Sequence, residues 1–307
     1  MSIKVAIGPS SFAAKDETPL RMLEDAGIEV RPNPYGRRLT QDEIIIQLEG
    51  MDGLIAGLEP LNRTVLSSAP GLKAIARVGI GTDNVDFEAT ADLGIKVSNT
   101  PDGPTRAVAE LTAAAMLCLC RQIPKMNRDM HNGQWNKEIS LGLFETPVLF
   151  IGYGRIGRSV ANCLHPFGPQ ILVYDPYLNA DEDIGEAVRV DLETGLGKAK
   201  VITLHAGGND VILGPAEFEK MLPGVILLNS ARAGLVDEHA LISALEKGVV
   251  GGAWFDVFWQ EPYQGRLQEF DNVLMSPHVC TYTKQCRSGM ETEAVSNLLR
   301  DLQITKA

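Results

Sequence analysis

Short apolar, β-branched runs alternate with amphipathic helical patterns along nearly the whole of this 307-residue chain, and they do so in two successive series. Residues 4–7, 53–56, 73–77 and 95–98 read as buried strands, with helical patterns near 19–26, 42–49 and 62–69 between them. Strands separated by helices pair in parallel through right-handed crossovers. The second series has strands at 148–151, 171–174, 201–204, 225–229, 251–254 and 273–275, with helices such as 156–164 and 238–246. The fold class expected is therefore α/β, with two doubly wound parallel-sheet domains. The join is Asn99-Thr100-Pro101-Asp102-Gly103-Pro104, dense in turn formers. A helix over 105–121 should follow, with Pro104 suited to its first turn. The last helical pattern, 283–302, has no strand after it.

The formal net charge of -11 and a pI near 5.0 argue against a nucleic-acid or anionic-membrane partner, since both call for a basic face. A small anionic substrate stays open, because a few local cations can hold one. The N-terminus enters an apolar alternation at once, without a signal-type run. The most apolar helical stretch, 111–119, is too short to span a bilayer. Five cysteines, an odd number with no Cys-x-x-Cys pair, suit a reducing cytoplasmic setting. No metal site is expected.

Gly152-Tyr153-Gly154-Arg155-Ile156-Gly157 matches G-x-G-x-x-G. It follows a strand and opens a helix, the context in which that motif binds a dinucleotide. The glycines permit a tight turn and close approach of backbone to pyrophosphate, and the helix N-terminus supplies N–H groups and a positive dipole end. The next strand ends in Asp175, eighteen positions beyond Gly157. An acid there accepts hydrogen bonds from the ribose hydroxyls and repels a 2′-phosphate, so NAD is expected in preference to NADP.

With these residues in place the sequence resembles the D-isomer-specific 2-hydroxyacid dehydrogenase family, in its phosphoglycerate-dehydrogenase-like branch. The resemblance covers nearly the whole chain. It rests on 77–86 (Arg77-Val78-Gly79-Ile80-Gly81-Thr82-Asp83-Asn84-Val85-Asp86), the glycine loop, 229–237 (Asn229-Ser230-Ala231-Arg232 onward), Trp254-Phe255-Asp256-Val257-Phe258, Glu261-Pro262 and Ser276-Pro277-His278. It implies a Rossmann NAD-binding domain, 99–279, inserted in a flavodoxin-like substrate domain made of 1–98 plus 280–307, with the active site in the cleft between the two.

Reducing a 2-oxo acid needs a cation for the carboxylate, a proton donor for the carbonyl oxygen and a hydride donor opposite. Arg232, after strand 225–229, offers a planar fork for carboxylate and carbonyl together. His278, after strand 273–275, has an ordinary pKa of about 6.5, suited to giving and taking a proton. Glu261 would hold the far imidazole nitrogen. The resemblance assigns catalysis to these three. It further implies that the Val78 and Gly79 N–H groups bind the substrate carboxylate. Asp256 would bind the nicotinamide carboxamide, and Ala206, Ser230 and Ala231 would line the coenzyme through backbone atoms.

His205 is expected near the adenosine half and outside proton transfer. Gly57-Leu58-Glu59-Pro60 brings no cation before Arg63, so a phosphorylated substrate is open but not indicated. Cys280 reads as a buried small residue, with a redox-sensitive thiol as the rival. The apolar helix 105–121 should be buried all round, in a homodimer formed through the NAD-binding domain. The functional alternative is an NAD-sensing regulatory protein of the same fold that does no chemistry.

Overall fold

The structure, a computed structural model, describes residues 2–304. It divides into two compact units, Met1–Pro104 with Thr281–Ala307, and Thr105–Cys280. In chain order the first unit contains β1 (Lys4–Ile7), α1 (Thr18–Asp25), β2 (Glu29–Arg31), α2 (Gln41–Leu48), β3 (Gly53–Ala56), α3 (Arg63–Ser67), β4 (Ala74–Arg77), α4 (Phe87–Asp92) and β5 (Lys96–Ser98). The second holds α5 (Pro104–Cys120), α6 (Ile123–His131), β6 (Pro147–Ile151), α7 (Arg155–Leu164), β7 (Gln170–Tyr174), β8 (Val188–Arg189), α8 (Leu192–Lys198), β9 (Val201–Leu204), α9 (Pro215–Glu219), β10 (Val225–Asn229), α10 (Glu238–Glu246), β11 (Val250–Phe255) and β12 (Val273–Met275). The chain then returns to the first unit as α11 (Lys284–Asp301).

Both sheets are parallel throughout. The first runs β2-β1-β3-β4-β5, so its order reverses between β1 and β3. The second runs β12-β11-β10-β9-β6-β7-β8 and reverses between β6 and β9. In doubly wound sheets ligands bind beyond the carboxyl ends of the strands at such reversals. The second sheet is buried on both faces. Leu149, Ile151, Leu172, Ile202 and Leu227 face one core, and Val148, Phe150, Val173, Val201 and Leu228 the other. This is why its strands read as continuous apolar runs and not as alternations.

Local chemistry sets the helix starts. Thr40 and Glu43 form a reciprocal capping box at α2, and Asp86, Asp237 and Thr283 each accept a backbone N–H at the starts of α4, α10 and α11. The expected strands are all present to within a residue or two. β2 and β8 escaped the sequence reading because both are short edge strands with exposed or half-exposed side chains, which leave no apolar run. The expected helix 105–121 stops at Cys120, and α6 follows after a bend of 61°. Among the described residues no single helix is long and apolar enough to cross a membrane.

The division at Pro104/Thr105 lies beyond the expected boundary at residue 98. The reason is hydrogen bonding within the first unit. Thr100 N–H donates to Gly79 O at 3.1 Å, its Oγ1 accepts from Gly79 N–H at 2.7 Å, and Asn297 of α11 donates to Asn99 O at 3.1 Å.

Candidate active site

The glycine loop joins β6 to α7 at the reversal of the second sheet. Gly152 has φ +91°, and a Cβ on it would lie 2.6 Å from Ala206 N, where β9 ends. A Cβ on Gly157 would lie 2.6 Å from Gly152 O. Neither position tolerates a side chain, because backbone meets backbone there. Gly154 differs, since a Cβ on it would meet no protein atom within 4 Å. As N-cap of α7 it offers no side-chain bond to the first turn, whose N–H groups lack intrahelical partners. The loop thus leaves open, uncapped space where a pyrophosphate would approach, and the residues fit NAD. Asp175 braces this loop: its carboxylate accepts Tyr153 N–H at 2.8 Å and Tyr177 N–H at 2.9 Å. Each oxygen keeps a lone pair for a ribose hydroxyl.

Arg232, Glu261 and His278 follow β10, β11 and β12, neighbouring strands of one sheet, all at its carboxyl edge. Both Glu261 oxygens lie 3.1 Å from His278 Nδ1, and Oε1 also accepts Phe258 N–H at 3.2 Å. A carboxylate at Nδ1 favours the tautomer with the proton there, leaving Nε2 for a substrate. The imidazole is about 40 % exposed and can be reached by one. Arg232 is held at its backbone, with its carbonyl accepting from Asn229 Nδ2 at 2.9 Å, and its Nη1 donates to Ala231 O at 2.8 Å. Fully buried Asn229 also accepts Ala231 N–H through Oδ1. Its role in pinning the arginine loop escaped the sequence reading, although the residue opens the quoted motif.

Other expected site residues stand differently. In the first unit Val78 N–H donates to Ala56 O at 2.9 Å and Gly79 N–H to Thr100 Oγ1, so both groups expected to hold a carboxylate have protein partners. Ser230 Oγ lies 3.2 Å from Thr112 Oγ1 in the second unit. Asp256 is fully buried, with its carboxylate turned to protein donors. His205 is half-buried; burial pushes its pKa down to about 3, and its Nε2 meets Thr203 Oγ1 at 2.9 Å. Burial, together with Asp256, raises the Cys280 thiol far above its usual range, so it resists ionisation.

Comparison with known proteins agrees with this fold. Residues 113–280 match the family model described as D-isomer specific 2-hydroxyacid dehydrogenase, NAD binding domain. Human D-3-phosphoglycerate dehydrogenase is 35% identical over 276 residues, which cover 87% of this chain and 51% of that one. The chain thus spans about half the length of the curated relatives it matches. Among solved structures, the TT0316 protein of Thermus thermophilus superposes with a TM-score of 0.86 at 30% identity, covering 98% of this chain and 97% of that one. Apo D-lactate dehydrogenase from Escherichia coli gives 0.82 at 28% identity, covering 96% of each.

Two parallel-sheet α/β units, the second with a glycine loop at its strand-order reversal, define a dinucleotide-binding α/β protein. The chain belongs to the D-isomer specific 2-hydroxyacid dehydrogenase family, and its coenzyme is NAD.

Proposed function

We propose that the protein is an NAD-dependent oxidoreductase acting at C2 of a small 2-hydroxy or 2-oxo acid. The observation that carries this is the His278–Glu261 pair at 3.1 Å, on the same sheet edge as Arg232 and beyond the same sheet as the glycine loop. Gly152, Gly154, Arg155, Ile156, Gly157, Asp175, Ala206, Ser230 and Ala231 would hold NADH, which supplies the hydride when bound. The Arg232 guanidinium binds the substrate carboxylate and polarises the carbonyl oxygen. As C2 gains a hydride, His278 Nε2 gives its proton to the carbonyl oxygen, and the reverse reaction returns it. Glu261 keeps the Nδ1 proton in place and stabilises the imidazolium. Arg232 is the principal anchor of the substrate carboxylate.

Glu59 is buried, so a carboxylate and not a cation follows β3. This favours a substrate without a terminal phosphate over the 3-phosphoglycerate type.

We place the protein in the cytosol, where its five free cysteines stay reduced. A two-fold dimer through the second unit has support too. Ala114 of α5 is exposed and Leu111, Leu117 and Cys118 are half-buried in the single chain, and Trp135, Ile139 and Phe144 stand out at 75%, 101% and 74% exposure. Exposed apolar side chains of this size suit burial against a second copy.

The test is a panel of 2-oxo acids, neutral and phosphorylated, assayed for NADH and NADPH consumption. Turnover of neutral acids with NADH preferred is expected. NADH binding without turnover of any member would instead favour a regulatory role.

A further inference from the structure

Glu261 lies on the loop that leaves β11, and that loop is fastened at two points to the segment that follows Arg232. Trp259 Nε1 donates to Val236 O at 2.9 Å, and the Tyr263 hydroxyl donates to Glu238 Oε1 at 2.6 Å. The two bonds flank Glu261, from two residues before it and two after. The segment they reach is itself fixed. Ile212 and Leu213 N–H donate to Leu235 O at 2.9 and 3.0 Å, and Asp237 N–H donates to Leu213 O at 2.9 Å. Asp237 also caps α10, whose first residue is Glu238.

Tyr263 supports Glu261 by a second route. Its ring stacks on Phe258, with centroids 4.7 Å apart, and Phe258 N–H is the donor that meets Glu261 Oε1 at 3.2 Å. Its oxygen accepts N–H from fully buried Leu267 at 3.2 Å, so the hydroxyl is fixed from both sides. Burial, with Glu238 alongside, pushes the phenol up to about 12, and it stays a donor through the range of an enzyme assay. A phenylalanine would stack equally well but could not reach Glu238.

We propose that Tyr263 is a positioning residue for Glu261, and through Glu261 for His278. Its hydroxyl ties the glutamate's loop to 235–238, and its ring backs the peptide whose N–H orients the carboxylate. The loops of Arg232 and Glu261 are thereby held as one piece. The proposal deepens the dehydrogenase reading and rests on it.

The experiment compares Tyr263→Phe, Glu238→Ala, Glu238→Gln and His278→Ala with the wild type. It measures kcat and KM for the preferred 2-oxo acid, NADH Kd from coenzyme fluorescence, and the His278 ring signals by NMR. Tyr263→Phe keeps the stack and removes the hydroxyl's bonds. It should lower kcat by about three- to tenfold, with NADH Kd within about twofold. It should also move the high-pH limb of kcat/KM to lower pH, because a loosened Glu261 holds the imidazolium less well. Glu238→Ala should do the same, and Glu238→Gln, which keeps an acceptor, should recover most of the loss. In the double variant Tyr263→Phe/Glu238→Ala the two losses should not multiply, since both remove one bond.

A wild-type kcat and pH limb in Tyr263→Phe would overturn the proposal. So would a lower kcat with the limb and the His278 ring signals unmoved, which would leave Tyr263 a purely structural residue. Losses that multiply in the double variant would break the link to Glu238 and overturn it as well. If Tyr263→Phe does not fold, Glu238→Ala decides by the same two readouts. Failure of the underlying reading shows separately, as full turnover in His278→Ala. The positioning role is then read from the His278 ring signals alone, which Tyr263→Phe must move and which refute it if they stay still.

Discussion

The two units are built alike and end differently. Each has a parallel sheet whose order reverses once, and each therefore has one edge position suited to a ligand. In the second unit that position is a glycine loop with open space at Gly154 and an uncapped helix start. In the first it is filled from within. Gly8 ends β1 and Gly57 ends β3, and the Glu59 carboxylate packs between them. A Cβ on Gly8 would lie 2.0 Å from Glu59 Oε1, and Gly57 N–H donates to that oxygen at 2.8 Å. Arg77 and Arg38 stabilise its charge, yet burial prevails and raises its pKa. The same topology thus yields a nucleotide site where the backbone is left unsatisfied, and a closed edge where a carboxylate satisfies it.

The largest expected effect is on chemistry. His278→Ala removes the proton donor and should lower kcat by about a hundredfold to ten-thousandfold, with NADH Kd nearly unchanged. Stopped-flow reduction of the preferred oxo acid measures it.

The glycine loop can be divided next. Gly152→Ala forces a Cβ against backbone at φ +91° and should unfold or loosen the second unit. Gly154→Ala meets no protein atom, so its thermal stability should stay within about 0.5 kcal/mol of wild type while NADH binding weakens about tenfold. Calorimetry and coenzyme titration separate the two. Equal NADH affinity in Gly154→Ala would show that pyrophosphate does not approach there.

The smallest expected effect concerns the closed edge. A carboxyl whose folded-state pKa is raised binds its proton more tightly in the folded state. Its contribution is therefore full below its ordinary value of 4.5 and is lost as pH rises above it. Glu59→Gln cannot titrate, so the pH dependence of the first unit's stability should flatten above pH 4.5, whatever constant offset Arg77 imposes. Trp135, Trp254 and Trp259, the chain's three tryptophans, all lie in the second unit. Hydrogen exchange at β3 and β4 is thus the readout, and parallel slopes in both proteins would contradict the burial account.

Much of this was legible in the sequence because the relevant residues are tied to strand ends. The glycine loop, Asp175, Arg232 and His278 all follow apolar runs that announce the sheet, and two-sided burial makes those runs unmistakable. What stayed hidden depends on contacts distant in the chain. The bonds that hold the buried Asp256 carboxylate, from Ser276, Val279 and Cys280 some twenty positions on, leave no mark in its own motif. Glu59 reads as a loop residue until Gly8, 51 positions earlier, closes over it. Val78 and Gly79 carry a motif whose N–H groups turn out to face Ala56 and Thr100. Edge strands β2 and β8 have too little apolar surface to declare themselves.

The central claim is that His278, held by Glu261, is the acid in 2-oxo acid reduction. The pH profile of Glu261→Gln tests it most directly. The imidazolium is the active form, so activity fails as pH rises and His278 loses its proton. Removing a carboxylate 3.1 Å from Nδ1 makes that loss easier. The high-pH limb of kcat/KM should therefore move to lower pH. A limb at the wild-type position in Glu261→Gln would contradict the assignment of Glu261 and His278 as a working pair.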